Sequence, residues 1–174
     1  KTAKYTAKIV MNSGDTSAKQ TMNVKKASTL LGESTAHKDV DALDVQVDSG
    51  YLKLDSEIAI NNLYFNGGKL ELSTSEKIAS AFFNGGGTLV YAGVIIADFV
   101  SIDSGGLFTV DFSNAASLAG EICLISSNEM IFGGDVNKVF SAIRNGTTLN
   151  GTFAMHDNGI YFTAAVPEPA TVAA

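Results

Sequence analysis

Between residues 40 and 112 apolar and polar side chains alternate in short runs, and the runs recur in one register. Val45 and Val47, Leu63 and Phe65, Ala81 and Phe83, and Val100 and Ile102 each precede a polar, glycine-bearing step. Those steps are Asp48-Ser49-Gly50, Asn66-Gly67-Gly68, Asn84-Gly85-Gly86-Gly87 and Asp103-Ser104-Gly105-Gly106, and their starts lie 18, 18 and 19 residues apart. Behind them Leu52, Leu70, Leu89 and Phe108 stand in matching places, followed by Leu54, Leu72, Tyr91 and Val110. Residues two apart share one face of a strand, so every run predicts a strand with one apolar and one polar face.

A unit of roughly 19 residues cannot bury its own apolar face and must stack on its neighbours. The pattern therefore predicts an all-β fold, a right-handed single-stranded β-solenoid (β-helix) over residues 38–135 with irregular β caps. A β-sandwich with regular hairpins is the alternative, because its strands are spaced similarly. In either fold Asp48, Asn66, Asn84 and Asp103 suit a corner. Their side chains bond turn backbone, and the glycines beside them supply positive φ.

The ends read differently. Residues 1–37 lack the repeated step; Tyr5, Ala7, Ile9 and Met11 alternate, Asn12 to Asp15 reads as a turn, and Gln20 to Val24 reads as a return strand. Residues 136–165 form the expected C-terminal cap, with 166–174 as a tail. Strands are expected over Leu118 to Ser126, Asn128 to Phe132, Thr147 to Met155 and Gly159 to Thr163. Val136, Val139, Phe140 and Ile143 have the three-four spacing of a short amphipathic helix within Asp135 to Arg144.

Composition sharpens this picture. Hydrophobic residues make up 45 % of the 174 and charged residues 17 %, with 17 Gly, which excludes a disordered chain and favours many tight turns. The net charge of −6 argues against nucleic acid as a partner. No apolar run is long enough to span a membrane. The chain opens on Lys1 with no signal peptide, so export would rest on a segment already removed. Cys123, in the run Ile122 to Ile125, reads as a buried core thiol.

Charge is divided along the chain. Residues 1–38 carry a net +5 and residues 39–174 a net −11. A basic strand segment of this kind reads either as a solvated face or as a self-association arm, with Lys1, Lys4, Tyr5, Lys8 and Ile9 as its contact residues. Such an arm would make a homo-oligomer or fibre by meeting the acidic body of the next subunit.

The tail Val166-Pro167-Glu168-Pro169-Ala170-Thr171 resembles the start of the PEP-CTERM sorting signal of exported Gram-negative bacterial proteins. Pro167, Glu168, Pro169 and Thr171 carry the match. The hydrophobic helix and arginine cluster that complete the signal do not follow, which implies a cut or processed tail. The resemblance implies recognition by an exosortase-type sorting machinery and an extracellular or outer-surface location. Gly85 to Val90 more weakly resembles the autotransporter-associated β-strand repeat of large solenoid proteins.

Catalytic chemistry is sparsely represented. His37 and His156 are the two histidines. His156 precedes the turn Asp157-Asn158-Gly159 and reads as a surface residue, since neighbours on a strand point to opposite faces. Polysaccharide lyases and glycosidases need clustered carboxylates. Asp98, Asp103 and Asp111 could supply them, but Arg144 is the sole arginine and few aromatics stand where a sugar platform could form. The corner Asp/Asn column raises calcium, yet the glycine-rich nonapeptide of a calcium β-roll is absent. Asn145-Gly146-Thr147 and Asn150-Gly151-Thr152 match the glycosylation sequon, a common coincidence in such a composition. No cofactor motif appears.

The resulting expectation is a non-enzymatic structural or adhesive component of the bacterial surface or matrix. The alternative is a carbohydrate-binding or carbohydrate-cleaving protein. A carboxylate pair beside aromatics in a groove would favour that alternative; a featureless groove with complementary ends would favour the first reading.

Overall fold

The computed structural model describes residues 5–24, 40–73 and 77–166. Among these residues the chain forms fifteen strands, laid in two sheets, and one short helix. In chain order the first ten strands are β1 (Tyr5–Asn12), β2 (Lys19–Val24), β3 (Val40–Ser49), β4 (Tyr51–Ser56), β5 (Ile60–Phe65), β6 (Lys69–Leu72), β7 (Ile78–Phe83), β8 (Gly86–Val90), β9 (Ile95–Ile102) and β10 (Leu107–Asp111). They are followed by β11 (Glu121–Ile131), α1 (Val136–Val139), β12 (Phe140–Arg144), β13 (Thr147–Thr148), β14 (Gly151–His156) and β15 (Gly159–Ala164). One sheet has the order β1-β3-β5-β7-β9-β11-β15-β14, the other β13-β12-β10-β8-β6-β4-β2.

The expected right-handed single-stranded β-solenoid over 38–135 is corrected. The chain forms two sheets of eight and seven strands packed on one another, with mixed pairing, in the layering of the alternative β-sandwich. Odd strands β1 to β11 pair in parallel and even strands β2 to β12 likewise. The last strands do not: β15 is antiparallel to β11, β14 to β15, and β13 to β12. The physical reason lies in where the apolar rows point. Each repeat contributes one strand to each sheet, and the corners turn the chain from one layer to the other, so the two apolar faces bury each other. The 18–19 residue period fixes neighbours within a sheet and leaves the layering to the corners and to the closing hairpin.

Within the first sheet the sequence columns are real neighbours. Val45, Leu63, Ala81 and Val100 pair in register, as do Val47, Phe65, Phe83 and Ile102. In the second sheet Leu52, Leu70 and Leu89 align, but the row continues to Val110 rather than Phe108. Phe108 falls opposite Gly87. The longer turn at Asp103 to Gly106 advances the chain two residues beyond the repeat. Gly87, with φ +139°, leaves the space that Phe65 fills: a Cβ there would sit 2.6 Å from Phe65 Cζ.

Aromatic rings run through the core from sheet to sheet. Phe65 lies 6.0 Å from Phe108 and 6.1 Å from Phe83, Phe108 stacks on Phe140 at 5.5 Å, and Phe140, Phe153, Phe162 and Phe112 continue the chain at 4.8–5.6 Å. Burying rings of this size supplies much of the fold's stability, with about 1.5–3 kcal/mol for each large apolar side chain removed from water.

At the corner, Asn66 Nδ2 donates to Asp48 Oδ1 at 2.8 Å and Asn84 Nδ2 donates to Asn66 Oδ1 at 2.9 Å. Asp103 accepts from the Gly85 and Gly105 backbone N–H groups instead. The helix expected within Asp135 to Arg144 is confined to Val136–Val139, with Asp135 capping it by accepting from Asn137 N–H. From Phe140 the chain is β12, because Phe140 and Ala142 pair with Phe108 and Val110 and bury in the core. The two strands expected over 118–132 are one, β11.

Candidate functional site

The outer face of the seven-stranded sheet carries one charged side chain that is almost wholly buried. Glu71 on β6 is 3 % exposed. Its position follows from register: Glu71 lies directly across from Lys53 on β4, while Tyr51 on β4 lies across from Lys69. Cross-strand neighbours on one face stand close enough for side chains to pair. Lys53 Nζ is 3.2 Å from Glu71 Oε2, and the Tyr51 hydroxyl donates to Glu71 Oε1 at 3.1 Å. Asn114, on the segment after β10, donates to the same Oε1 at 3.5 Å.

Asp111 lies in the row of Glu71, with Val90 between them. Burial first, then the hydrogen bond and charge of Glu71, and then the charge of Asp111, push the Tyr51 phenol up to about 12. Desolvation and adjacent negative charge both disfavour phenolate, so Tyr51 stays a hydrogen-bond donor throughout the physiological range. Lys69 and Lys19 lie over the Tyr51 ring at 5.2 and 6.0 Å from its centroid, within cation–π range. Asp111 accepts from Ser113 through both backbone and hydroxyl. Ser113 Oγ in turn accepts from Asn145 N–H, and Arg144 donates to the Ala115 carbonyl, which ties the 112–118 segment over this face.

The result is one tyrosine bonded to a buried carboxylate, with Asp111 two strands away in the same row, Lys53 on Glu71, and Lys69 and Lys19 over the ring. The sequence alone places Asp111 among the candidate carboxylates but singles out neither Glu71 nor Tyr51. The usable signal was the polar row: extending the register logic from the apolar face to its back puts Lys53 opposite Glu71.

The other carboxylates named from sequence are dispersed. Asp98 lies on the outer face of the eight-stranded sheet, 2.5 Å from Lys77 Nζ and accepting from Asn128 at 3.0 Å. Asp103 is at the corner, so Asp98, Asp103 and Asp111 do not share a site. On that same outer face Tyr64 stacks on Phe82 (5.3 Å, 10°) and Phe99 lies 6.0 Å from Phe82. Those rings face one another along the sheet.

His156 sits on β14 at the surface, as expected, yet it does meet Asp157. Asp157 has φ +50° and Asn158 φ +53°, so the backbone is no longer extended and the opposite-face rule lapses. Nδ1 lies 3.0 Å from Asp157 Oδ2, Nε2 lies 3.0 Å from Glu121 Oε1, and the ring stacks on Tyr161 at 3.9 Å. The hydrogen bond to Asp157, then that to Glu121 and both charges, raise the imidazole above its usual value against a desolvation effect of opposite sign. Cys123 is half-buried rather than a core thiol. It pairs in register with Tyr161, and burial pushes its thiol up, away from reactive thiolate. Among the described residues no three His, Cys, Asp or Glu side chains are grouped to hold a metal. No described helix is long and apolar enough to cross a membrane.

Of the proposed arm, Lys8 and Ile9 lie on β1, which pairs with β3 of its own chain. Tyr5 begins that strand, its backbone opposite Val40. Lys1, Lys4, His37 and the tail residues Pro167, Glu168, Pro169 and Thr171 lie outside the described residues. No family model, curated protein or solved structure matches the chain.

Proposed function

We propose that the protein is a non-enzymatic adhesive component of the bacterial surface or matrix, and that the outer face of its seven-stranded sheet holds a glycan. The observation that carries this reading is Tyr51 bonded to the buried carboxylate Glu71, with Asp111 two strands away in the same row as Glu71, a polar arrangement on an otherwise sheet-like face. Sugar hydroxyls are bound by carboxylate acceptors and ammonium donors on a preformed apolar base. Asp111 and Lys69 supply such groups at the surface, while Glu71, held by Lys53, Tyr51 and Asn114, orients its neighbours. Binding without turnover fits a Glu71 whose oxygens are already engaged by three partners, since a general acid or base must be free to exchange its proton with substrate.

The test is affinity electrophoresis of the full chain through gels containing neutral, uronate-bearing and sulfated polysaccharides. Retardation by one class, lost in Lys69→Ala and in Asp111→Asn with an unchanged β-type circular dichroism spectrum, is the expected result. Unaltered mobility in all three sinks the glycan reading, and shortening of the polysaccharide on incubation sinks the non-enzymatic one. The outer-surface location rests on the tail resemblance. In the native host, replacing Pro167-Glu168-Pro169 by Ala-Ala-Ala should leave the protein off the surface, and undiminished surface delivery would remove that part of the proposal.

A further inference from the structure

The outer face of the eight-stranded sheet carries two rows of side chains that strand register aligns. From β1 to β11 one row runs Lys8, Asp44, Asn62, Ser80, Phe99, Glu129, and the other Val10, Gln46, Tyr64, Phe82, Ser101, Ile131. Opposite charges end the first row, and exposed aliphatics end the second, Val10 at 51 % and Ile131 at 56 % exposure. Between them Tyr64, Phe82 and Phe99 form a half-buried aromatic cluster. Lys8 and Glu129 are exposed, and neither has an ion-pair partner among the described residues; Lys8 lies over the Tyr64 ring at 5.9 Å. A contiguous apolar surface with a polar rim marks a place of contact.

This face is complementary to itself. A two-fold axis along the strands, between β5 and β7, sets β1 over the β11 of a second copy and β5 over its β7. Lys8 then meets the second copy's Glu129, Val10 meets its Ile131 and Tyr64 meets its Phe82, each contact made twice as an isologous interface requires. Packed sheets cross at about 30°, an offset at the outer strands that the long Lys8 and Glu129 side chains span. Asp44 brings no unbonded carboxylate into the contact, because Asn62 donates to it through backbone N–H and side-chain amide, both at 3.1 Å. An axis across the strands would bring Lys8 near Lys8 and Glu129 near Glu129, so charge selects the first arrangement. The ring geometry favours a second sheet over a sugar. Tyr64 and Phe82 lie within 10° of parallel and cover one another's faces, which leaves edges to interdigitate rather than a flat ring to stack on.

We propose that two copies of this chain pair back to back through the outer faces of their eight-stranded sheets. Six strands at about 4.8 Å and three outward positions at about 6.7 Å give a face of roughly 600 Å² per copy. The total of about 1,200 Å² stands at the lower limit for a specific interface, so the dimer forms in the micromolar range and weakens with salt. It turns the two seven-stranded faces outward in opposite directions, and, on the glycan reading above, one dimer would hold two polysaccharide chains.

The experiment follows self-association of the full chain by sedimentation velocity at low salt, without polysaccharide, so its outcome is independent of the glycan reading. The wild type should pass from monomer to dimer across the micromolar range and stop there. Lys8→Glu and Glu129→Lys should each weaken the dimer about tenfold, since two rim contacts turn repulsive. Mixed one to one, these variants should dimerise as the wild type does, because both contacts again join opposite charges. Phe82→Ser, at an outward position, should be monomeric with an unchanged circular dichroism spectrum. A wild type that stays monomeric across that range overturns the proposal, whether the face is bare or covered by another part of the chain. Growth beyond a dimer overturns it too. Single charge variants that associate like the wild type, a mixture that fails to recover, or an undiminished Phe82→Ser dimer would each refute the two-fold pairing.

Discussion

Replacing Gly87 by Ala tests the central packing argument against a built-in control. Two glycines have nearly the same unusual backbone, Gly87 at φ +139° and Gly93 at φ +137°. A Cβ at Gly93 meets nothing within 4 Å, whereas at Gly87 it lies 2.6 Å from Phe65 Cζ and 3.0 Å from the Gly68 carbonyl. Backbone strain is therefore common to both substitutions, about 1–3 kcal/mol in each. The steric contribution belongs to Gly87 alone. Phe65 is fully buried between Phe83 and Phe108 and cannot swing away, so overpacking adds about 1–3 kcal/mol. In a domain of this size 1 kcal/mol shifts Tm by roughly 2–4 °C. Gly87→Ala should thus melt about 2–12 °C below Gly93→Ala in parallel thermal scans by circular dichroism. Urea curves should give lower midpoints with unchanged slopes. Equal melting temperatures for the two variants would mean that Phe65 does not rest on Gly87, and the offset register of β8 and β10 would be wrong.

Three further outcomes follow from the polar contacts. Lys53→Met leaves the buried Glu71 carboxylate without its cation and should cost about 1.5–3 kcal/mol in urea unfolding, while the double change with Glu71→Leu should recover most of it; equal losses in both would deny the pair a role. The Asp48 carboxyl is held below its ordinary value first by Asn66 and then by Gln46. That contribution to stability is present above the unfolded pKa of 3.8 and is lost as pH falls through the folded one. Asn66→Ala should move the Asp48 NMR titration midpoint upward, and an unmoved midpoint would refute the ladder. His156 is shifted the other way, so its stabilisation is complete below the ordinary imidazole value of 6.5 and is lost as pH rises through the higher folded pKa. The wild type should exceed His156→Ala in urea midpoint at about pH 5.5 and lose that margin at about pH 8.5; a margin that grows with pH would contradict the Glu121–His156–Asp157 contact.

The alternation of apolar and polar residues determined by itself that the chain is all-β, and the 18–19 residue period determined which strands are neighbours. Val45 beneath Leu63, Phe65 beneath Phe83 and Asn66 beside Asp48 were all legible, because register within a sheet depends on spacing alone. Layering was not. Whether consecutive strands continue one coil or cross to an opposing sheet depends on the path of each corner, and the closing antiparallel strands β13 to β15 follow no repeat. Side-chain contacts that need a particular backbone turn were hidden for the same reason: His156 meets Asp157 only because residues 157 and 158 adopt positive φ. Local rules likewise missed Phe108, displaced two positions by a longer turn, and α1, shortened because Phe140 and Ala142 gain more by pairing beside β10. The candidate site stands between these cases. Lys53 and Glu71 face each other by register that the repeat implies, but the burial of Glu71 and the approach of Tyr51 and Asn114 were decided by the segment folded over the sheet. That segment is non-repetitive, and its position is set by tertiary contacts such as those of Arg144 and Asn145 rather than by any local pattern.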